Sequence, residues 1–198
     1  LLARLARDFA NKGISHFRPY AWISTSWFTP HGTTGFAIPF YLAHTRLLRL
    51  ERHRIGDAEG GTVASCMRLL RHEAAHALDH AYRLHRRRSW RERFGPFSQP
   101  YHATYRPRLG HRGFVVNLGH GYAQSHPAED WAETFAVWLA PTSRWRARYQ
   151  GWPALRKLCY VDALVREIRS LPPAVRTREH VDPLAENRVT LREHYARK

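Results

Sequence analysis

The run from Val63 to about Arg88 contains neither proline nor glycine, and Gly60-Gly61 and Gly95-Pro96 punctuate the chain on either side of it. A stretch of that length without breakers predicts one long helix, with Thr62 as its N-cap. Met67, Leu70, Ala74 and Leu78 recur at helical spacing along it, so one face is apolar and must be covered by the rest of the chain. In the middle of this helix stands His72-Glu73-Ala74-Ala75-His76. Residues four apart on a helix share a face about one turn apart, so both imidazoles can meet one metal ion. Glu73 follows the first histidine and can act on a metal-activated water from the side.

A catalytic zinc of this kind needs a third protein ligand and an open position for water. His80 lies roughly 12 Å along the axis from His72, at about 1.5 Å per residue, too far to share an ion with it. Asp79, three residues beyond His76, is placed instead to orient a ligand histidine from behind. The third ligand must come from elsewhere. A second helix is predicted from Pro127, a residue tolerated in a first turn, to just before Pro141. On it, Glu129 and Glu133 are four apart and share a face, with small Ala132 and Ala136 beside them for close approach to another helix. The expected division puts Glu129 on the metal and Glu133 on the outer nitrogen of a ligand histidine. The alternative for the trio Glu129, Asp130 and Glu133 is a solvated acidic face, which is less ordinary in a chain this basic.

Elsewhere the pattern is mixed. Residues 1 to about 12 predict a short helix ending near Gly13. His16 to Phe40 is rich in Trp, Phe, Thr and Gly, broken by Pro19, Pro30 and Pro39, and reads as strands and turns. Gly35–Leu42 is the best strand candidate, and its proline suits a sheet edge. Residues 89–121 are irregular and basic, with a short strand predicted over Gly113–Leu118. A third helix is predicted from about Pro153 to Ser170, and a short one from Thr190. Few strands early and helices later imply an α+β fold with a long active-site helix, a small mixed sheet and a helical C-terminal half. The 198 residues fit one domain, with 1–88 carrying the strands and the histidine motif and 89–198 the basic loop and later helices.

Lys plus Arg total 32 against 16 acidic residues, a net charge of +16, and only Lys12, Lys157 and Lys198 are lysine. Such a surplus attracts nucleic acid, anionic lipid and acidic partners non-specifically. No apolar run approaches the roughly 18 residues of a membrane-spanning helix. Cys66 and Cys159 form neither a disulfide framework nor a cysteine-rich zinc cluster, so a reducing, cytoplasmic compartment is expected. The N-terminal stretch Leu1–Phe9 is too broken by charge for a signal peptide, and without a starting Met the chain is expected to be cut from a longer one.

The His-Glu-x-x-His helix with a later Glu resembles the gluzincin metallopeptidases, closest in spacing to the lethal-factor-like and Pro-Pro-endopeptidase-like members. In those a Tyr lies seven residues before the ligand Glu and another Glu four after it. Tyr122, Glu129 and Glu133 stand at these offsets, and His72-Glu73-x-x-His76-x-x-Asp79 also fits. By that match Tyr122 would donate a hydrogen bond to the oxyanion formed when water attacks a carbonyl. A resemblance covering nearly the whole chain is to a bacterial family named for its zinc-binding metallopeptidase motif. It is carried by Arg71-His72-Glu73, Tyr122–Pro127 with Glu129-Asp130, Ala132–Leu139, Gly151–Leu155, His16–Tyr20 and Gly35–Leu42. Members often carry a zinc ribbon upstream, in keeping with a longer parent chain. Ala75 stands where Gly is usual and Trp131 where Phe is usual.

The expected function is therefore a zincin-type zinc metallopeptidase of endopeptidase action, acting on peptide or protein substrates. His72, His76 and Glu129 would hold one zinc ion, Glu73 would be the general base, and the Gly35–Leu42 strand would pair with an extended substrate. His120 and His126, flanking Tyr122, are candidates for substrate contact. One rival reading starts from Arg83, Arg86, Arg87, Arg88, Arg91 and Arg93 interleaved with Trp90 and Phe94, which suits phosphate contact and base stacking and would make this a nucleic-acid-associated zinc protein. Another is a zincin that no longer cuts and serves as a binding module.

Overall fold

The computed structural model of the protein describes residues 1–101, 104–119 and 121–198. Helix α1 (Leu2–Asn11) is amphipathic, with Leu5, Asp8 and Phe9 buried, and it stops before Gly13 as the sequence predicts. Strands β1 (Tyr20–Ser24) and β2 (Gly35–Pro39) pair in parallel, in register from Tyr20 opposite Gly35 to Ser24 opposite Pro39. On the other side of β2, Phe28 forms an isolated antiparallel bridge with Ala37, whose N–H donates to the Phe28 carbonyl at 2.8 Å. The sheet is thus small and, in its two strands, parallel rather than mixed as expected, and the fold is α+β.

One expectation about β2 needs correction. It ends at Pro39 rather than Leu42, because the chain turns there into a 3-10 turn over Phe40–Ala43. As its proline suggests, β2 is an edge of the two-stranded sheet, met on its open side by the single bridge from Phe28.

Helix α2 (Thr45–Ile55) packs half-buried Leu47 and Leu48 against Phe40, Tyr41 and Ala58, and of its 11 residues only Glu51 is fully buried. Its ends are fixed locally. The His44 ring accepts the Arg46 N–H, and Gly56 takes a left-handed φ of 87° that closes the last turn.

Helix α3 (Val63–Tyr82) starts with a capping box between Thr62 and Ser65, which satisfies two otherwise unpaired donors. It ends six residues short of the predicted Arg88, at Arg83 in the left-handed region (φ 52°, ψ 42°). The cause is Asp79, whose carboxylate accepts both the backbone N–H and the ring Nδ1–H of His85, at 2.7 and 2.9 Å, and draws the chain out of the helix. A 3-10 turn (Leu84–Arg86) and helix α4 (Arg88–Phe94) follow. Trp90 is fully buried and Phe94 nearly so, and both pack on Trp131, while Arg83, Arg86, Arg88, Arg91 and Arg93 face outward. The aromatic rings in this basic stretch belong to the core and are not presented for base stacking.

Residues 113–118 form no strand. Their N–H groups find side-chain acceptors rather than a neighbouring strand: Val116 donates to the Tyr149 hydroxyl, and Asn117 and Leu118 donate to Glu133. Helix α5 (Pro127–Leu139) matches its predicted span, and all 13 of its residues are buried. It packs along α3 on one side and α7 (Leu155–Ile168) on another, with the short α6 (Trp145–Arg148) leading into α7. The C-terminal segment then crosses the sheet. Tyr20, Trp22 and Ser24, alternate residues of β1 and so on one face, donate to the carbonyls of Glu179, Val181 and Asp182. Helix α8 (Leu191–Arg197) begins with a second capping box at Thr190 and Glu193, and Lys198 beyond it pairs with buried Glu51. Among the described residues, no helix is long and apolar enough to cross a membrane.

One buried ion pair ties α1 to α3. The Arg71 guanidinium donates from Nε and Nη2 to Asp8 Oδ2 at 2.9 and 2.7 Å, with both side chains under a tenth exposed. Removing one partner strands the other charge in the core. Asp8→Ala is therefore expected to cost about 3–5 kcal/mol in urea unfolding, and the double change Asp8→Leu with Arg71→Met to recover most of that loss.

Candidate metal centre

Helices α3 and α5 bring the predicted residues together. His72 Nε2 lies 3.0 Å from Glu129 Oε2 and 3.2 Å from His76 Nε2, and His76 Nε2 lies 3.4 Å from the same carboxylate oxygen. His72 and Glu129 are buried, and His76 is partly open to the cleft. These three side chains form a group able to hold a metal ion.

What fixes the centre is Glu133. Its Oε1 accepts from His72 Nδ1 at 3.0 Å and from the Asn117 side-chain amide at 3.1 Å; its Oε2 accepts the backbone N–H groups of Asn117 and Leu118, both at 2.9 Å. Buried carboxylates survive only with such donors. Since His72 gives its Nδ1–H to Glu133, the neutral ring presents a lone pair at Nε2. That lone pair faces Glu129 Oε2, an acceptor, and His76 Nε2.

These contacts need either a hydrogen carried by one of the ring nitrogens or a metal ion among the three side chains. Burial works against charge on His72, but its hydrogen bonds to Glu129 and Glu133 outweigh that and raise its pKa. For Glu129, burial opposes ionisation and the two histidines prevail, holding its carboxyl well below the usual range. The spacing also suits a metal. Ligand bonds of about 2.0–2.1 Å in a tetrahedron put donor atoms roughly 3.3 Å apart, and the observed separations run from 3.0 to 3.4 Å.

Around this core, Glu73 Oε2 accepts from the Thr29 hydroxyl at 2.8 Å, which orients the carboxylate and leaves its other oxygen free of that bond. Tyr122 sits on a 3-10 turn with its ring 5.6 Å from that of His72, centroid to centroid. Burial first, then the Glu129 and Glu73 carboxylates, push its phenol pKa up, so it stays an O–H donor. The preceding Gly121 has φ 66°, and a Cβ there would stand 2.5 Å from the Pro107 side chain. Glycine is thus required to aim Tyr122 inward.

Tyr101 was not foreseen. Its hydroxyl donates to Glu129 Oε1 at 2.7 Å, so one oxygen of Glu129 is occupied and Oε2 alone points to the histidines. Tyr101 and Thr29 both come from irregular segments with no motif to mark them. Asp79, expected behind a ligand histidine, is instead committed to His85, two turns from His72, and the outer nitrogen of His72 goes to Glu133 alone. His126 is an N-cap: Nδ1 accepts the Ala128 N–H, Nε2–H donates to the Gln99 carbonyl, and the ring stacks on Tyr101 at 3.8 Å. Both of its nitrogens are used, which leaves only ring contact for a substrate. His120 lies outside the described residues.

The centre opens into a cavity of about 460 Å³ whose walls include His31, His80, Phe97 and Tyr101. No family model, curated protein or solved structure matches this chain. The two positions that depart from the resemblance noted above touch each other, since the Trp131 indole N–H donates to the Ala75 carbonyl at 2.9 Å, a bond that phenylalanine cannot make.

Two outcomes follow from this geometry. Glu133→Gln keeps the shape but weakens the hold on the His72 tautomer, so zinc affinity measured by calorimetric competition is expected to fall about 10–100-fold. His80, buried and hydrogen-bonded to the Thr33 carbonyl at 3.2 Å, has its pKa lowered by burial to about 4. The unfolded chain then binds a proton that the folded chain refuses between about pH 6.5 and 4, so stability falls as pH falls through that window. The loss between pH 7 and 4 is expected to be smaller in His80→Gln than in the unaltered metal-free protein, by up to about 3 kcal/mol in denaturant unfolding.

Proposed function

We propose that this chain is a zinc-dependent peptidase of the gluzincin type. The observation that carries the reading is the convergence of His72, His76 and Glu129 at 3.0–3.4 Å beside the buried, oriented carboxylate of Glu73, within one cleft. The pairing of a long motif-bearing helix with a second helix that brings Glu129 and Glu133 supports a zincin-like fold. Two nitrogens and a carboxylate oxygen suit zinc among the divalent ions. Held by those three residues, zinc would supply Lewis acidity toward water and the substrate carbonyl.

The remaining work falls to the chain itself. Glu73, steadied at Oε2 by Thr29, takes a proton from the attacking water and passes it to the leaving amine. The Tyr122 hydroxyl donates to the carbonyl oxygen as negative charge builds there. Glu133 and Tyr101 act through the ligands by holding His72 in one tautomer and Glu129 in one orientation. An extended substrate would meet residues 27–29, which line the cavity and meet β2 through Phe28, in place of the Gly35–Leu42 strand. A second cavity shares Trp27, His72, Glu73 and Tyr122 with the first, an arrangement suited to cutting within a chain.

The test is a peptide library incubated with zinc-loaded protein and read by mass spectrometry. Glu73→Gln is expected to retain zinc and to lower cleavage by about 10²–10⁴-fold, the usual worth of a general base. Undiminished cleavage in that variant would overturn the assignment.

A further inference from the structure

The cleft has a second arm. Beyond Trp27, His72, Glu73 and Tyr122, which line both arms, lies a cavity of about 380 Å³ walled also by Glu59, Leu69, Tyr105 and Leu118. Apart from Glu73, Glu59 is the one carboxylate among these walls.

Despite a net charge of +16, the Glu59 carboxylate makes no ion pair or hydrogen bond with the described residues, and its side chain stays open to the cleft. Arg52, Arg68 and Lys198 bond to other groups. Arg52 donates to the Gly61 carbonyl at 2.8 Å, Arg68 lies 3.4 Å from the Asn117 carbonyl oxygen, and Lys198 pairs with Glu51. The residue is nonetheless anchored through its main chain, since its carbonyl accepts from Tyr41 Oη at 3.1 Å and from Trp27 Nε1 at 3.4 Å. Partial burial and the charge of Glu73 raise its pKa, the condition of a carboxylate that gains from a cation brought to it.

We infer that this arm is a pocket for a lysine or arginine side chain of the substrate, with Glu59 as the residue that selects it. Leu69 and Leu118 offer apolar wall to the methylene stem, the Tyr105 ring suits a cationic head, and the Glu59 carboxylate receives the charge. The inference rests on the peptidase reading for its substrate class, a polypeptide with a basic residue near the scissile bond. It runs against the protein's overall field, which draws acidic rather than basic peptides.

Binding can be separated from cleavage in the zinc-loaded Glu73→Gln variant, by fluorescence anisotropy at about 0.15 M salt, where long-range attraction is screened. The probes are fluorescein-labelled alanine-rich octapeptides identical except for a central Lys, norleucine or Glu. The Lys peptide is expected to bind about two- to fivefold more tightly than norleucine, as one partly screened ion pair allows. Adding Glu59→Gln should erase that preference, and Glu59→Lys should transfer it to the Glu peptide, with thermal midpoints unchanged for a side chain this exposed. A Lys preference that survives Glu59→Gln, or tighter binding of the Glu peptide to a site with Glu59 intact, would overturn the pocket. Library cleavage by the unaltered protein with no basic preference would also overturn it while leaving the peptidase reading in place. A Glu59-dependent Lys preference without any cleavage would instead uphold the pocket and remove the peptidase reading.

Discussion

The Glu133 carboxylate, 1% exposed, accepts four hydrogen bonds from His72, from the Asn117 side chain and from two consecutive backbone N–H groups. It thereby joins α3, α5 and the segment between α4 and α5 at one point in the core. The interaction has to be complete to be tolerated, because a buried carboxylate short of donors would cost several kcal/mol. Its consequence is chemical as well as structural: the tautomer of His72 is settled, and with it the direction in which a lone pair faces Glu129 and His76.

A similar economy governs the other acidic groups. Seven of the 16 carboxylates, Asp8, Glu51, Glu73, Asp79, Glu129, Asp130 and Glu133, are buried, so the exterior is more basic than the composition suggests. Each has a separate task. Glu129 faces the two histidines, Asp130 pairs with Lys157, and Glu133 holds His72, although the three stand within five residues of one helix. The trio is therefore not a solvated acidic face. For the basic stretch after α3 the reverse holds: the arginines point outward while Trp90 and Phe94 complete the packing under Trp131.

Helical periodicity made much of this legible. The four-residue spacings of His72 with His76 and of Glu129 with Glu133 translate directly into shared faces, and breakers at Gly13 and Pro141 set helix ends where the structure has them. The failures share a cause. The end of α3 at Arg83 and the irregular course of residues 113–118 both depend on backbone N–H groups bonding to side chains whose approach no local pattern records. Thr29 and Tyr101 escaped notice for the same reason, and α2 because its short apolar face, Leu47 and Leu48, is set among charged residues.

The sequence by itself determined which residues lie on a common helix face and which of them are able to bind a cation, because those properties follow from fixed helical geometry and side-chain chemistry. Only the tertiary structure decided which acceptors converge, since His72 and Glu129 are 57 residues apart and meet through the packing of α3 on α5. It also decided which carboxylates are left without a partner. Glu73 is held by one hydroxyl from an irregular segment, and Glu59 stands open at the cleft while Arg52, Arg68 and Lys198 bond to backbone carbonyls and to Glu51. Competition for partners is settled by distances in space, and distance along the chain does not encode them.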